Sequence, residues 1–214
     1  HSLEIFPPLP NAECMLIIGG NTKLRLIDIS KKSIFVILKD GFDIQYIQRE
    51  VFVRNEFPHL PVTPIAEVNL EHGWYQEQYI TGRPPNRLQK ARGKVALERA
   101  IQAIHVMLIE SERRVSLSDY VELLFQRWIA AAAELDYVNE KAMTGIRRLV
   151  RILKSTLESS EVCQISIAYC HGDFHQGNIL VNDEDMWIMD WEYSGEKQIA
   201  YDLFVLLIQS RVES

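Results

Sequence analysis

The chain has 214 residues, of which 47% are hydrophobic and 24% are charged, and it carries a formal net charge of −6. This composition is typical of a soluble globular protein that can bury a sizeable core in one domain or in two small lobes. The acidic balance argues against nucleic acid as a main partner, since binding to a phosphate backbone needs a basic face. It is consistent with a cationic acceptor molecule, although a solvated acidic surface is the simpler explanation.

The cysteines at positions 14, 163 and 170 are odd in number and lack the spacing of a metal site. We therefore expect a reducing compartment and a cytoplasmic location. No apolar run approaches the length needed to cross a bilayer, and no segment has the pattern of a signal peptide. Membrane insertion is therefore not expected.

Residues 13–39 predict three strands joined by short turns. The first apolar run ends in Gly19-Gly20-Asn21-Thr22, and two further runs follow at 24–29 and 34–39. Glycine pairs allow backbone conformations that bring N–H groups close to a phosphate. A plain hairpin turn is the commoner interpretation of such a segment when the sequence is taken alone.

Lys39 ends the third predicted strand, on the same face as Phe35 and Ile37 by the two-residue period of a strand. A lysine among apolar neighbours needs a partner, which the phosphates of a nucleotide and a carboxylate would supply. The alternative is a strand-end lysine that simply reaches solvent.

A helix is predicted from about residue 44 to 57, with Asp43 as its N-cap and Pro58 as its stop. Glu50 lies within a broad apolar arc of this helix, where a carboxylate would need a cation. We therefore predict that Glu50 pairs with Lys39, with a solvated helix face as the alternative for Glu50.

A second hairpin is predicted from residues 65–69 and 74–79, followed by a Gly- and Pro-containing linker. From about residue 93 to 210 helices dominate. His105 and the stretch from 128 to 133 lie in apolar stripes of these helices, and we predict that both are packed core.

The chemically richest stretch reads HGDFHQGNIL at residues 171–180 and IMDWEY at 188–193. It offers a carboxylate at Asp173, an amide oxygen five residues later at Asn178, and a second carboxylate at Asp190. Two apolar runs joined by a short polar turn predict a hairpin. This hairpin would bring Asn178 and Asp190 to the same end, beside the loop that holds Asp173.

Oxygen ligands of this kind suit Mg²⁺, which proteins hold with one or two groups together with substrate phosphates. We therefore predict that Asn178 and Asp190 bind Mg²⁺ and that Asp173 is the catalytic base, accepting a proton from an attacking hydroxyl. The alternative is that all three are ordinary turn residues. This alternative is less favoured, because all three residues lie where the predicted loop–strand–turn–strand segment would need a base and two metal ligands.

The pattern H-G-D-x-x-x-x-N followed by D-W-E-Y resembles the aminoglycoside phosphotransferase and choline kinase-like family of small-molecule kinases. The similarity is strong from Tyr169 to Leu206, weaker from Met15 to Gly82, and thin in the helical middle. It implies an α+β, two-lobed protein-kinase-like fold, with a small antiparallel-sheet N-lobe that carries one helix and a mostly helical C-lobe. Residues 1–80 would form the nucleotide-binding lobe and residues 81–214 the catalytic lobe.

The resemblance also implies roles for residues outside the motif. The segment Gly19-Gly20-Asn21-Thr22 would be a short nucleotide-binding loop, with Lys39 and Glu50 completing the nucleotide site. Backbone groups near Gln78 and Ile80 would bind adenine at an interlobe hinge. His171 would brace the catalytic loop through backbone hydrogen bonds, and Asp202 would anchor it, with a helix N-cap as the alternative for Asp202.

The acceptor would lie beside Glu192 and Tyr193, which follow Asp190 closely in a sequence especially similar to that of choline kinases. An acid beside an aromatic ring can hold an ammonium group by charge and cation–π attraction. Aminoglycoside kinases also take cationic acceptors, so these residues do not separate the two classes, and simple packing is the alternative for Tyr193.

Only twelve residues follow Asp202, whereas the family that the chain resembles continues with helices that wall the acceptor pocket. We expect a chain that is short by nature, a truncated chain, or one that borrows this wall from a partner.

Together these patterns predict an ATP- and Mg²⁺-dependent kinase that transfers the γ-phosphate to a hydroxyl of a small, cationic molecule of the choline, ethanolamine or aminoglycoside kind. The alternative is a catalytically silent nucleotide-binding regulator or scaffold with a kinase-like fold. A protein kinase fits less well, because H-G-D replaces H-R-D, D-W-E replaces D-F-G, and the sequence has no A-P-E segment.

Overall fold

The computed structural model describes residues 8, 12–133, 139–159, 161–183 and 185–212. Its strands and helices follow in chain order as β1 (Leu16–Gly19), β2 (Lys23–Asp28), β3 (Ser33–Leu38), α1 (Gln45–Glu56), β4 (Ile65–Asn69), β5 (Trp74–Gln78), α2 (Lys90–Ser111), β6 (Arg113–Ser116), α3 (Leu117–Ala133), α4 (Glu140–Glu158), β7 (Gln164–Cys170), β8 (Ile179–Val181), β9 (Met186–Ile188), β10 (Gly195–Gln198) and α5 (Tyr201–Val212).

The chain divides into two compact units, one made of residues 1–111 and 169–214 and the other of residues 112–168. The proposed boundary between residues 80 and 81 stays a prediction. No helix in the described part of the chain combines the length and the apolar character that a membrane crossing requires.

The first unit contains a five-stranded antiparallel sheet with the strand order β1-β2-β3-β5-β4. The three strands predicted before residue 40 and the predicted second hairpin are therefore confirmed. Helix α1 ends at Glu56, ahead of Pro58, and the Asp43 carboxylate accepts a hydrogen bond from the backbone N–H of Gln45 at its start, 2.8 Å away. The predicted stop is confirmed, whereas the N-cap position is Ile44, one residue after the predicted Asp43.

The two faces of this sheet bury different side chains, because successive residues of a strand point to opposite sides. Ile27, Ile34 and Val36 pack with Ile47 of α1 on one face. The other face buries a separate cluster formed by Leu26, Ile37 and Trp74. Lys23 pairs with Leu38 in the register of β2 and β3, and Arg25 pairs with Val36, so both cations lie on the face that α1 covers.

A larger core lies beneath the predicted catalytic segment. Helix α2 buries Ala96, Ala100, Ile104 and Met107, a spacing of three and four residues that forms one helical stripe. This stripe packs in one cluster with side chains of the β8–β9 hairpin, including Ile179 and Ile188, and with Trp191. The predicted hairpin is confirmed, with Ile179 opposite Ile188.

Two predictions of packed core were wrong. His105 is exposed, because it lies about 100° around α2 from Ile104 and so falls outside the buried stripe. Trp128 of α3 is 50% exposed, although its ring contacts that of Phe125. Apolar neighbours in the sequence therefore did not identify which side of these helices is covered.

The second unit contains β6, α3, α4 and most of β7. Strands β6 and β7 are antiparallel, with Arg113 opposite Ile167. Helix α4 begins after Asn139, whose side-chain oxygen accepts a hydrogen bond from the backbone N–H of Ala142 at 2.9 Å, as an N-cap does.

Candidate active site

The loop between β7 and β8 holds the first part of the predicted catalytic motif, and Asp202 of α5 fixes its start. The Asp202 carboxylate accepts hydrogen bonds from the backbone N–H groups of His171 at 2.7 Å and Gly172 at 2.8 Å. Gly172 has a φ of +88°, and a Cβ there would lie 2.1 Å from the carbonyl oxygen of Tyr193. Only glycine therefore fits this turn.

His171 is fully buried and connects this loop to the end of the β8–β9 hairpin. Its Nε2 lies 2.9 Å from the carbonyl oxygen of Met189, and its Nδ1 accepts a hydrogen bond from the backbone N–H of Asp173 at 3.2 Å. These partners require the proton on Nε2. Burial lowers the pKa of His171 below its ordinary value, so the ring is neutral and acts as a brace between two backbone segments.

Asp173 and Asn178 are in direct contact. The Asn178 amide donates to the backbone oxygen of Asp173 at 2.9 Å and to its carboxylate at 3.2 Å. His175 also lies close, with Nε2 3.5 Å from the Asp173 carboxylate, while its Nδ1 accepts from the backbone N–H of Gly177. The Asp173 side chain is 34% exposed, so its carboxylate is oriented and still accessible to a small molecule.

Asp190 sits just after β9 in the left-handed backbone region, with φ +66° and ψ +56°. Its Oδ1 lies 3.0 Å from Nζ of Lys23 and 2.6 Å from Nη2 of Arg25. Burial opposes ionisation of this carboxyl, but the charges of Lys23 and Arg25 outweigh burial and lower the pKa of Asp190. Asp190 is therefore a carboxylate at neutral pH.

Lys23, not Lys39, is the lysine that pairs with Glu50. Nζ of Lys23 lies 2.6 Å from Oε1 of Glu50, and the lysine side chain is 2% exposed. Lys39 instead donates to the backbone oxygens of Gly20 and Asn21 at 2.5 and 3.2 Å. The predicted Lys39–Glu50 pair is wrong, because Lys39 follows the face of Phe35 and Ile37, which is the side of the sheet away from α1.

A buried network of charges surrounds the Lys23–Glu50 pair. Arg54 donates to Glu50 at 2.8 Å and to Glu77 at 2.9 Å. Burial alone would raise the pKa of Glu50, but the charges of Lys23 and Arg54 outweigh burial and lower it to about 2. Burial raises the pKa of Glu77 despite its contact with Arg54. Each charge of the Lys23–Glu50–Arg54 chain thus has a partner, which buried charges require.

Glu192 connects the glycine-containing loop to the segment after Asp190. Its carboxylate accepts a hydrogen bond from the Thr22 hydroxyl and lies 3.3 Å from Nζ of Lys23. The neighbouring Tyr193 ring packs edge-to-face on the Tyr46 ring of α1, with centroids 5.9 Å apart. Glu192 is buried and Tyr193 is half-buried, so only the tyrosine offers much free surface.

These groups surround a cavity of about 190 Å³. The cavity is lined by Gly20, Asn21, Lys23, Arg25, Asp173, Asp190, Glu192 and Tyr193. Of the predicted site residues, the cavity brings together Gly20, Asn21, Asp173, Asp190, Glu192 and Tyr193. The other predicted nucleotide and metal residues lie outside this lining, and a role for them stays a prediction: Gly19, Thr22, Lys39, Glu50, Gln78, Ile80 and Asn178.

The donor atoms of the site fit a magnesium ion. Asp190 uses Oδ1 for Lys23 and Arg25, and Asn178 uses its Nδ2 for Asp173, which leaves Oδ2 of Asp190 and Oδ1 of Asn178 as hard oxygen donors. Among the described residues, no group of three or more His, Cys, Asp and Glu side chains is arranged to hold a metal ion. Proteins bind Mg²⁺ with few ligands of their own when phosphates supply the others, so the oxygens of Asp190 and Asn178 could hold it together with a nucleotide.

The cations of the cavity, Lys23 and Arg25, were not identified from the sequence. Lys23 directly follows the glycine-containing loop, and alternation along β2 places Lys23, Arg25 and Ile27 on one face. The face that α1 covers could have been found by matching this alternation to that of β3. Because Lys23 lies on the face that α1 covers and Lys39 follows the opposite face, this comparison would have favoured Lys23 as the partner of Glu50.

Comparison with known proteins identifies relatives of this chain. The family model described as choline/ethanolamine kinase matches residues 69–212. "Probable choline kinase 3" of Arabidopsis thaliana is 27% identical over 93 residues, which are 40% of this chain and 26% of that protein.

Solved structures resemble the chain over nearly its whole length. A choline/ethanolamine kinase family protein from Mesorhizobium loti is 20% identical with a TM-score of 0.58, and the match covers 92% of this chain and 64% of that one. The aminoglycoside phosphotransferase APH(3'')-Id of Streptomyces rimosus is 14% identical with a TM-score of 0.60, covering 94% of this chain and 79% of that one.

These matches confirm the predicted fold class, an α+β fold of the protein-kinase-like kind, and the resemblance on which it rested. The chain spans about a quarter of the length of the curated relative and less than two thirds of the Mesorhizobium loti protein.

Proposed function

Because the chain belongs to the choline/ethanolamine kinase family, we propose that it transfers the γ-phosphate of ATP to a hydroxyl group of a small, cationic acceptor, with Mg²⁺ as its metal. One observation carries this proposal. Asp173, Asp190 and two buried or half-buried cations line one cavity, which is the arrangement that phosphoryl transfer requires, since its catalysis is mostly positioning and charge neutralisation.

The catalytic and metal-binding residues have distinct roles in this proposal. Asp173, held by Asn178, orients the acceptor hydroxyl and receives its proton. Asp190 and Asn178 hold Mg²⁺, which neutralises phosphate charge when bound. Lys23, fixed by Glu50, places a positive charge beside Asp190 and the glycine-containing loop.

The acidic groups in the wall of the cavity support the proposed acceptor class. Three carboxylates, those of Asp173, Asp190 and Glu192, contribute to the lining together with the ring of Tyr193. We propose that Tyr193 contacts the cationic end of the acceptor through its ring. Glu192, whose carboxylate is shared by Thr22 and Lys23, would add negative charge to the same cavity wall.

The test is ADP release from Mg·ATP in the presence of choline, ethanolamine, an aminoglycoside or glucose. The matched control for choline is 3,3-dimethyl-1-butanol, which has the same shape and hydroxyl but no charge. We expect a cationic acceptor to stimulate ADP release at least about tenfold more than its neutral counterpart, the size of one charge-assisted contact. Nucleotide binding without stimulation by any acceptor would contradict the proposal and favour a regulator or scaffold.

A further inference from the structure

Arg25 has a position in the cavity that the roles above do not use. Its side chain comes from the middle of β2 on the face that α1 covers, and it is 20% exposed. Its Nη2 lies 2.6 Å from Oδ1 of Asp190. A Cβ on Gly20 would lie 3.5 Å from its Nη1, so the guanidinium fills the space between the glycine-containing loop and the carboxylate proposed to hold the metal.

The two cations of the cavity, Lys23 and Arg25, differ in how many carboxylates lie close enough to neutralise their charge. Lys23 has three carboxylates within 3.3 Å, those of Glu50, Asp190 and Glu192. Arg25 has one, Asp190, among the described residues. A guanidinium has five N–H donors, and Arg25 uses one on Nη2 for Asp190. Within the part of the chain that the structure describes, its Nη1 and Nε make no side-chain hydrogen bond, so they can take further acceptors.

We propose that Arg25 is a phosphate-binding residue, whose guanidinium contacts the phosphate chain of the nucleotide beyond the α-phosphate. The inference rests on the proposed function and extends it to a residue outside the catalytic motif. A planar guanidinium beside a glycine-containing loop matches the geometry of phosphate oxygens. Lys23 is already surrounded by negative charge, so Arg25 supplies the positive charge that the phosphates need.

The experiment compares calorimetric affinities of the wild-type protein, Arg25→Gln and Arg25→Lys for two nucleotides. The probes are the non-hydrolysable ATP analogue adenylyl imidodiphosphate and AMP, each with Mg²⁺ and with EDTA. Arg99→Gln is the matched control, since Arg99 is an exposed residue of α2 and the change removes the same charge. Thermal unfolding of each variant tests whether it is folded. If Arg25→Gln does not fold, the nucleotide affinities of Arg25→Lys are compared with those of the wild type instead.

We expect Arg25→Gln to weaken binding of the ATP analogue about tenfold or more, the size of a lost hydrogen bond to a charged group. AMP binding should change less than about twofold, Arg25→Lys should recover part of the loss, and Arg99→Gln should behave as wild type. The loss should persist in EDTA, because the contact is direct.

Three results would overturn the inference in different ways. Equal affinity of Arg25→Gln and wild type for the ATP analogue would show that Arg25 does not bind phosphate. A loss seen only with Mg²⁺ would show that Arg25 acts through Asp190 and the metal. Failure of the wild-type protein to bind any nucleotide would refute the proposed function itself, and the role of Arg25 with it.

Discussion

Lys23 is the residue at which the glycine-containing loop, helix α1 and the segment after β9 meet. Its ammonium group contacts Glu50 of α1, Asp190 and Glu192. The pKa of Lys23 is raised although burial opposes this, because the charges of Glu50, Asp190 and Glu192 favour the protonated form. One buried cation thus holds together three parts of the chain that are far apart in sequence.

Replacing Lys23 should cost much more stability than replacing Lys39. Lys23→Met leaves Glu50 and Glu192 without their closest cation, and we expect a loss of about 3 kcal/mol in the free energy of unfolding. Lys39→Met removes hydrogen bonds to backbone oxygens only, and we expect a loss of about 1 kcal/mol or less. Urea denaturation of both variants measures the difference, and equal losses would contradict the assignment of Lys23 as the buried partner.

Glu50 should make the stability of the fold depend on pH in the acidic range. Its pKa is lowered from 4.5 to about 2, so the ionised carboxylate stabilises the folded state fully above about pH 4.5. This contribution disappears as the pH falls through about 2. The shift corresponds to a contribution on the order of 3 kcal/mol.

The matched variant for this pH dependence is Glu50→Gln. We expect the difference in unfolding free energy between wild type and Glu50→Gln to shrink steadily from pH 5 to pH 2. A difference that stays constant over this range would show that Glu50 is not held ionised by Lys23 and Arg54.

At the scale of single residues, the sequence predicted which groups of the motif lie close together better than it predicted the ion pair of Glu50. Asp173 and Asn178 are in contact, and the β8–β9 hairpin returns the chain from Asn178 to Asp190, because both features depend on spacing within a short segment. Their catalytic and metal-binding roles stay predictions. The partner of Glu50 depends on which face of β2 and β3 is covered, and this is set by packing across strands. Sequence spacing alone does not carry that information.

At the scale of elements, the catalytic loop is fixed by backbone geometry as much as by side chains. Asp202 accepts hydrogen bonds from two successive N–H groups of this loop, and His171 ties it to Met189. Gly172 lies at the point where the loop passes the carbonyl of Tyr193. The loop should therefore tolerate no side chain at position 172.

Gly172→Ala should destabilise the protein by about 3 kcal/mol or more, since the new Cβ would overlap a backbone oxygen and φ is positive. The control is Gly145→Ala in α4, where a Cβ meets nothing within 4 Å. That change should stabilise its helix by about 0.5 to 1 kcal/mol. Thermal unfolding of the two variants tests both signs, and a stable Gly172→Ala protein would contradict the geometry of the loop.

The elements themselves were largely predictable from the sequence. Turn residues and alternating apolar runs identified the strands before residue 40 and both hairpins, because those signals are local. Strands β6, β7 and β10 were missed. Arg113–Ser116 and Gly195–Gln198 are short and polar, and β7 pairs with the unpredicted β6. The exposed side of α2 at His105 was also missed, because it depends on what packs against the helix.

At the scale of the whole molecule, one cavity joins residues from the two ends of the described chain into the proposed phosphoryl-transfer site. Gly20, Asn21, Lys23 and Arg25 come from the first quarter of the chain, and Asp173, Asp190 and Tyr193 come from the last quarter. The chain belongs to the choline/ethanolamine kinase family, and solved structures share its fold.

The most direct measurement is the ADP-release rate of Asp173→Asn with Mg·ATP and the best acceptor, beside its affinity for the ATP analogue. Asp183→Asn is the matched control, because Asp183 lies on the turn between β8 and β9 with its side chain 97% exposed. We predict that Asp173→Asn lowers kcat by about 100-fold to 10,000-fold with nucleotide affinity preserved, and that Asp183→Asn behaves as wild type. An Asp173→Asn protein that turns over at the wild-type rate would contradict the account.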